Sequence, residues 1–242
     1  MTGQARIRIR ALPQLSRDDS PFLVLTPKEN AELARLAEVL EFEKGTTVTV
    51  HGQPANFLFL VAEGVAESDR ILPDGSRQVV AFYWPGDVCG LAANGLYMNS
   101  AHTLTRCKFY RFKSEIIGNV FAANGIEYSF LLKAIHDLRS AQRQVVAMGR
   151  LGVTRRLAAF LADCADHETG FDQKQQVLTL PMTRQDIADH IGASTEVVTR
   201  AFSELQANGL LRRLTPRQLW LSPARMKVFA GLGDDLEPAA GE

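Results

Sequence analysis

Four residues in one short stretch have side chains that can read the edges of DNA bases: Thr195, Glu196, Thr199 and Arg200. Arginine offers a pair of donors that matches guanine, glutamate accepts from the cytosine amino group, and threonine offers a hydroxyl or a methyl group. Their spacing places them on the first two turns of a helix. The chemistry indicated is sequence-specific recognition of double-stranded DNA. The alternative interpretation is the solvated face of a purely structural helix.

The surrounding sequence predicts two helices joined by a tight turn. Thr183 is a suitable N-cap, and apolar residues at helical spacing predict a first helix over residues 184–190. Gly192 can adopt the positive φ of a sharp turn, and Ser194 is a suitable N-cap for the second helix. The small Ala188 permits the helices to cross closely. This pattern is typical of a DNA-binding helix-turn-helix. The second helix is expected to bury Val197, Val198, Ala201, Phe202 and Leu205.

Basic and hydroxyl residues beside these helices predict contacts to the phosphate backbone. The whole chain has 27 Lys and Arg against 27 Asp and Glu, but residues 150–225 have ten against eight. After the second helix, residues 210–214 and 218–221 predict a small β-hairpin wing with Arg217 at its tip. The expected phosphate contacts are Thr183, Arg184, Ser194, Arg212 and Arg217.

The first half of the chain predicts short strands after one helix. Thr26, Pro27 and Glu29 predict the helix start, with Leu33, Leu36, Ala37 and Leu40 on its buried face. The predicted strands cover residues 46–50, 57–61, 65–71, 78–83 and 102–110, with Gly- and Pro-containing turns between them. This pattern favours an antiparallel barrel or jelly roll, which normally encloses a pocket.

A long helix over residues 126–148 is predicted after the barrel. Its apolar residues repeat at alternating spacings of three and four, which is typical of a coiled-coil seam: Leu131, Ala134, Leu138, Ala141, Val145 and Met148. The seam predicts a homodimer. The alternative is that the same stripe packs against the chain's own barrel. Gly149 and Gly152 then predict a hinge, and residues 154–167 predict another helix.

The composition, with 46% hydrophobic and 22% charged residues in 242, is typical of a soluble protein with two domains. No apolar run is long enough to span a membrane, and the N-terminus lacks a signal-peptide core, which predicts a cytoplasmic protein. Nothing in the residue spacing indicates a catalytic or metal site. Cys89, Cys107 and Cys164 have no CxxC spacing and are expected to be buried; the alternative is a thiol sensor.

The order of these parts resembles the CRP/FNR superfamily of bacterial transcription regulators over residues 26–229. The motifs that carry the resemblance are residues 51–55, 63–65, 74–78, 85–87, 156–161, 180–188 and 196–200. It implies an α+β fold with an N-terminal antiparallel jelly roll of the cyclic-nucleotide-binding type, a long dimerisation helix and a C-terminal winged helix-turn-helix. The expected divisions are a flexible arm (1–25), the sensor-like jelly roll (26–124), the dimerisation helix (125–149), the DNA-binding domain (150–230) and a flexible tail (231–242). An edge strand or a phosphate-binding arm is the alternative for residues 6–10.

Departures from the superfamily pattern indicate its FixK-like branch. Leu91 stands where cyclic-nucleotide-binding members have an acid for the ribose, and Asn99 stands where they have an arginine for the phosphate. Cyclic AMP is therefore not an expected ligand. Three cysteines, with none before Cys89, are too few for the iron–sulfur cluster of the oxygen-sensing members.

FixK-like members imply no cofactor. The alternative is a sensor that responds to haem or nitric oxide, for which His51, His102 and His136 are the candidate histidines in the barrel and long helix. More often such histidines lie at the surface or have hydrogen-bond partners within the chain. In the haem alternative, the barrel ligand would control DNA affinity.

The resemblance also implies a function: a homodimer that contacts RNA polymerase and reads an inverted repeat close to TTGAT and ATCAA. By analogy, Arg200 donates to the guanine of TTGAT, Glu196 accepts from the paired cytosine, and Thr199 lies on the thymine side. Thr195 stands where cyclic-AMP-dependent members have an arginine, which argues against their TGTGA half-site.

Overall fold

The computed structural model describes residues 7–10, 25–115 and 126–231, with only the backbone for residues 126–130. The chain forms two compact units, Met1–Ala141 and Gln142–Glu242. The division lies within the long helix, which continues through Gly149 to Arg150. Residues 1–6 and 11–24 of the predicted arm and residues 232–242 of the predicted tail lie outside the described residues.

The first unit begins with helix α1 (Pro27–Leu36) and continues with antiparallel strands. Within the described residues the strands are β1 Glu38–Phe42, β2 Thr47–Thr49, β3 Phe57–Glu63, β4 Ala66–Ile71, β5 Arg77–Tyr83, β6 Val88–Cys89, β7 Ala92–Ala93, β8 Leu96–Tyr97, β9 Ser100–Thr103 and β10 Cys107–Lys113. Two four-stranded sheets, in the orders β1-β10-β3-β6 and β2-β9-β4-β5, form the predicted jelly roll. The strand pairings in both sheets are antiparallel.

Helix α1 has the predicted start but a different end. The Thr26 hydroxyl accepts from the Glu29 amide, and the Thr26 amide donates to the Glu29 carboxylate, so the capping box is confirmed. The helix stops at Leu36, and Leu40, predicted on its buried face, lies in β1. This prediction was wrong because residues 38–42 hydrogen-bond along β10, a partner distant in sequence.

The predicted strand over residues 102–110 is two strands that belong to different sheets, β9 and β10. Between them, the Leu104 amide donates to the Val65 carbonyl, and the chain crosses close to Gly64. Gly64 has a φ of 86°, and a Cβ atom there would lie 2.3 Å from the Arg106 carbonyl oxygen. The break is a close contact of two backbones, which only glycine permits.

Residues 7–10 differ from a solvated arm. Ile7 and Ile9 are 3% and 0% exposed, and they pack in one apolar cluster with Leu33 and Leu132. The Arg10 amide donates to the Gly86 carbonyl at 2.9 Å. The alternating isoleucines are buried because the barrel and the long helix together offer them an apolar surface.

The long helix is α2 (Ile126–Arg150), and the second unit continues with α3 Val153–Ala165, β11 Phe171–Asp172, β12 Val177–Thr179, α4 Arg184–Ile191, α5 Thr195–Ala207, β13 Leu211–Arg213, β14 Gln218–Leu221 and α6 Pro223–Ala230. The sheet of the second unit has the strand order β11-β12-β14-β13. Residues 171–172 form a short strand because they pair with residues 177–178. In the part of the chain described, no helix combines the length and apolarity needed to cross a membrane.

Candidate nucleic-acid interface

Helices α4 and α5 form the predicted helix-turn-helix. The Thr183 hydroxyl accepts from the Asp186 amide at 3.1 Å, and the Thr183 amide donates to the Asp186 carboxylate at 2.8 Å. Ser194 is the N-cap of α5, as predicted. Ala188 is fully buried, so the two helices pack closely at this position.

The turn between the two helices is held from two sides. Gly192 has the predicted positive φ, 65°, and a Cβ atom there would lie 2.9 Å from the terminal methyl of Met148. The guanidinium of Arg156 on α3 donates to the Ile191 carbonyl at 2.7 Å. The turn therefore rests on α3 and on the last turns of α2. Arg156 lies in one of the motifs that carry the family resemblance, residues 156–161, but nothing in the sequence indicated this contact.

Helix α5 has one buried side and one exposed side. Val198, Ala201, Phe202 and Leu205 are at most 3% exposed, as predicted, whereas Val197 is half-buried. The predicted base-reading residues lie on the other side, where Glu196, Thr199 and Arg200 are exposed and Thr195 is half-buried. The helix can therefore present these side chains to another molecule without disturbing its own packing.

Glu196 is the acidic residue of this exposed side. A hydrogen bond from Ser194, followed by smaller contributions that include Arg200, lowers the pKa of the Glu196 carboxyl. The carboxyl is therefore ionised at neutral pH and can only accept hydrogen bonds. An acceptor at this position suits the amino group of cytosine.

The hydroxyl groups of both threonines on α5 are already engaged. The Thr199 hydroxyl donates to the Thr195 carbonyl at 2.8 Å, one helical turn before it. The Thr195 hydroxyl donates to the side-chain oxygen of Gln185 at 2.6 Å. The sequence carried no signal for this contact of Gln185, because its partner lies ten residues away on another helix.

Arg184 is a predicted phosphate contact whose guanidinium packs closely on an aromatic ring. Its Cζ lies 3.4 Å from the centroid of Phe202, and Cζ of Arg213 lies 5.7 Å from the same ring. Burial, with a smaller effect of Arg213, lowers the pKa of Arg184 to about 10. Arg184 thus packs α4 against α5, and its phosphate contact stays a prediction.

The predicted wing is present as the hairpin of β13 and β14, with Leu211 opposite Leu221. Arg212 and Arg217 lie on this hairpin and are exposed. The other predicted phosphate contacts Thr183 and Ser194, at the starts of the two helices, are exposed as well. At the tip, the Thr215 hydroxyl accepts from the Gln218 amide at 3.0 Å. The hairpin therefore holds basic side chains in solvent, beside the helix-turn-helix in sequence.

The six predicted seam residues of α2 are all exposed in the single chain. Leu131, Leu138, Val145 and Met148 are 55%, 59%, 71% and 40% exposed, and the small Ala134 and Ala141 complete the stripe. The neighbouring Leu132 is 5% exposed. The seam residues of the first unit, Leu131, Ala134, Leu138 and Ala141, are therefore not buried against the barrel, which was the alternative interpretation.

The barrel core packs aromatic side chains together with smaller apolar ones. The rings of Phe59 and Phe109 meet edge to face at 6.1 Å, and a Cβ atom at Gly90 would lie 3.2 Å from Phe59. Leu91, at the position of the ribose-binding acid, is 56% exposed. The three cysteines are buried, as predicted, and burial raises the pKa of the Cys89 thiol to about 12.

Two of the candidate haem histidines have hydrogen-bond partners or charged neighbours within the first unit. His51 Nε2 accepts from Arg70 at 3.0 Å. His102 Nδ1 lies 3.1 Å from the Thr47 hydroxyl, and its Nε2 lies 3.6 Å from Asp69. His136 on α2 is half-buried and also has a partner. Among the described residues, no group of three His, Cys, Asp or Glu could hold a metal ion.

Comparison with known proteins agrees with this geometry. Residues 39–124 match the cyclic nucleotide-binding domain family, and residues 155–227 match the Crp-like helix-turn-helix domain family. The transcriptional activatory protein AadR of Rhodopseudomonas palustris is 30% identical over 85% of this chain and 87% of its own length. This chain belongs to the CRP/FNR family of transcription regulators.

Within the CRP/FNR family, the similarity is to FixK-like regulators. The nitrogen fixation regulation protein FixK of Bradyrhizobium diazoefficiens is 30% identical over 85% of this chain and 87% of its own length. The solved structure of FixK2 from Bradyrhizobium japonicum matches with a TM-score of 0.72 and 26% identity, over 80% of this chain and 96% of that one. A CooA structure from Carboxydothermus hydrogenoformans, 18% identical with a TM-score of 0.67 over 85% of this chain and 92% of its own, shares the fold alone.

Proposed function

We propose that this CRP/FNR-type regulator binds DNA as a homodimer and reads an inverted repeat close to TTGAT and ATCAA. The observation that carries the proposal is the exposed side of α5, where Glu196, Thr199 and Arg200 face solvent on a helix whose other side is buried. Arg200 donates to the guanine, and Glu196 accepts from the paired cytosine. Thr199 and Thr195 offer methyl groups to thymine, because their hydroxyls are engaged within the protein.

The half-sites of such an operator lie about one helical turn apart, because two recognition helices related by a dimer axis enter successive major grooves. The test is fluorescence anisotropy on operators varied base by base at fixed salt. We expect tight binding to the inverted repeat. Inserting about half a turn of DNA between the half-sites, roughly five base pairs, should abolish tight binding because only one helix then reaches a groove. Equal binding to all operators would contradict the proposal.

The dimer is proposed to form through the exposed seam of α2. Four large apolar side chains at the alternating spacing would become buried against a second copy of the helix. Leu138→Glu combined with Val145→Glu should give a monomer by light scattering and should remove operator binding. The control is Arg139→Glu, which adds negative charge to an exposed residue of the same helix away from the seam. A double variant that remains dimeric would exclude this interface.

The barrel is proposed to act without a cyclic nucleotide or a haem. Leu91 is apolar and exposed where a ribose would need an acid, and Asn99 carries no charge for a phosphate. We expect cyclic AMP to leave operator affinity unchanged, as measured by anisotropy with and without the nucleotide. The protein purified from cells should lack a haem absorbance band, and saturable binding of either compound coupled to operator affinity would contradict the proposal.

The same proposal includes contact with RNA polymerase and activation of transcription. It is supported by the relation to AadR, which is described as a transcriptional activatory protein. In an in vitro transcription assay with the operator upstream of a promoter, added regulator should increase the transcript. No change or a decrease in transcript would argue against activation while leaving DNA recognition intact.

A further inference from the structure

Three polar side chains from the two helices of the helix-turn-helix form a continuous hydrogen-bonded chain. The Thr195 hydroxyl at the start of α5 lies 2.6 Å from Oε1 of Gln185 on α4. The Gln185 Nε2 lies 2.5 Å from the Asp189 carboxylate, four residues later on the same helix. Gln185 thus connects an acidic residue of α4 to a predicted base-reading residue of α5.

The Asp189 carboxylate determines which group donates and which accepts in both of these hydrogen bonds. An ionised carboxylate only accepts, so the amino group of the Gln185 amide must face Asp189. The amide oxygen is then left facing Thr195, and it too only accepts. The Thr195 hydroxyl must therefore donate its hydrogen bond to Gln185.

This arrangement limits what Thr195 can offer to a base. Guanine presents two acceptors, N7 and O6, in the major groove, whereas thymine presents O4 and its methyl group. A Thr195 hydroxyl that already donates to Gln185 cannot also donate to guanine. Its methyl group remains available for apolar contact with the thymine methyl.

We propose that Gln185, held by Asp189, is a specificity-determining residue that positions Thr195. Because Gln185 accepts the hydrogen bond of the Thr195 hydroxyl, it favours thymine over guanine at the base pair that Thr195 contacts. Gln185 acts through Thr195, so it is a positioning residue. The inference rests on the proposed recognition of DNA by α5 and names a residue of α4 that helps to set its base preference.

The experiment compares two single variants and their combination with the wild-type dimer. Gln185→Leu removes both hydrogen bonds at similar side-chain size, and Thr195→Val removes the hydroxyl but keeps a methyl group. Gln206→Leu on the exposed C-terminal part of α5 is the matched control. The quantity measured is the ratio of affinities for thymine and guanine at each operator position, by anisotropy at fixed salt.

Wild type should prefer thymine at one position of each half-site, and Thr195→Val should keep that preference. Gln185→Leu should reduce it by roughly fivefold, the effect of about one net hydrogen bond, because the released hydroxyl can donate to guanine. The combined variant should recover the thymine preference, because no hydroxyl is left. A purely structural role for Gln185 would not give this recovery.

Two results would overturn the inference alone. If Gln185→Leu weakens binding to every operator by the same factor, Gln185 is a phosphate contact or a stabilising residue. If the combined variant keeps the reduced preference, the Thr195 hydroxyl is not what Gln185 controls. By contrast, a wild-type protein without base preference at any position would overturn the proposed function together with the inference.

Discussion

The charges beside α2 and the charges on α5 serve opposite purposes. Arg10, Asp87 and Lys133 are 5%, 6% and 4% exposed, and Asp87 lies 3.2 Å from the Lys133 ammonium and 3.8 Å from the Arg10 guanidinium. Glu196 and Arg200, on α5, are exposed to solvent. The charges of the first group are paired with one another inside the protein, whereas those of the second remain available to another molecule.

The difference follows from the cost of removing a charge from water. A buried ion that loses its partner is strongly destabilising, whereas an exposed charge contributes little to folding. The Asp87 carboxylate also accepts from the Trp84 amide at 2.9 Å, so it holds a turn of the barrel as well as two cations. Substitutions at the buried group should therefore change stability, and substitutions on α5 should change binding.

The largest expected effect is that of Asp87→Ala. It leaves Lys133 and Arg10 buried without their shared carboxylate, and we expect it to lower the free energy of unfolding by about 3–5 kcal/mol. Glu196→Ala is the control, because loss of an exposed carboxylate should change stability by no more than about 0.5 kcal/mol. Urea unfolding monitored by circular dichroism measures both. If both substitutions changed the free energy of unfolding by the same small amount, the distinction between the buried charges and those on α5 would be wrong.

Next in size is Arg200→Ala, which should leave unfolding unchanged and reduce operator affinity. The expected loss is about 1–3 kcal/mol per half-site, with relaxed discrimination at the guanine position. Anisotropy on operators varied at that position measures the effect. If affinity falls equally on every operator, Arg200 contacts a phosphate and does not read a base.

Arg217→Ala on the wing should give a smaller loss that is the same for all sequences. Removing one phosphate contact should reduce the slope of log affinity against log salt by about 1 for each subunit. The measurement is a salt titration on the operator and on unrelated DNA. A loss confined to the operator would indicate that Arg217 contributes to base preference.

High pH should weaken the buried ion pair between Lys133 and Asp87. Burial opposes the charge on Lys133, but the carboxylates of Asp87 and Asp137 outweigh it and raise the pKa of Lys133 above the ordinary 10.5. A raised pKa means that the ion pair stabilises the fold at and below pH 10.5 and that this stability is lost at higher pH. The difference in unfolding free energy between wild type and Lys133→Met should therefore narrow above about pH 10.5. A constant difference would show that Lys133 stabilises the fold without its charge.

The smallest expected effect concerns the thiols. Burial raises the pKa values of Cys89, Cys107 and Cys164, so the reactive thiolate is scarce at neutral pH. A thiol reagent applied to the folded protein should label none of them rapidly and should leave operator affinity unchanged. Unfolding in urea should expose all three, as counted by mass spectrometry. Rapid labelling of one cysteine in the folded protein would contradict this prediction and support the thiol-sensor alternative.

The sequence alone determined the helix-turn-helix because its defining interactions are local. The Thr183–Asp186 capping box links residues three positions apart, and Gly192 and Ser194 act within a single turn. Residue spacing also predicted which side of α5 is buried, since helical periodicity sorts neighbouring residues onto opposite faces. Short strands with regular turns likewise predicted the jelly roll.

Only the tertiary structure decided features that join residues distant in the chain. Pairing with β10 made residues 38–42 a strand, and an apolar surface formed by other elements buried Ile7 and Ile9. Arg184 could be recognised as basic, but its packing on Phe202 and the link from Gln185 to Thr195 require α4 and α5 to be already assembled. Periodicity and capping describe interactions within about one helical turn, so contacts between separate elements exist only once the chain has folded.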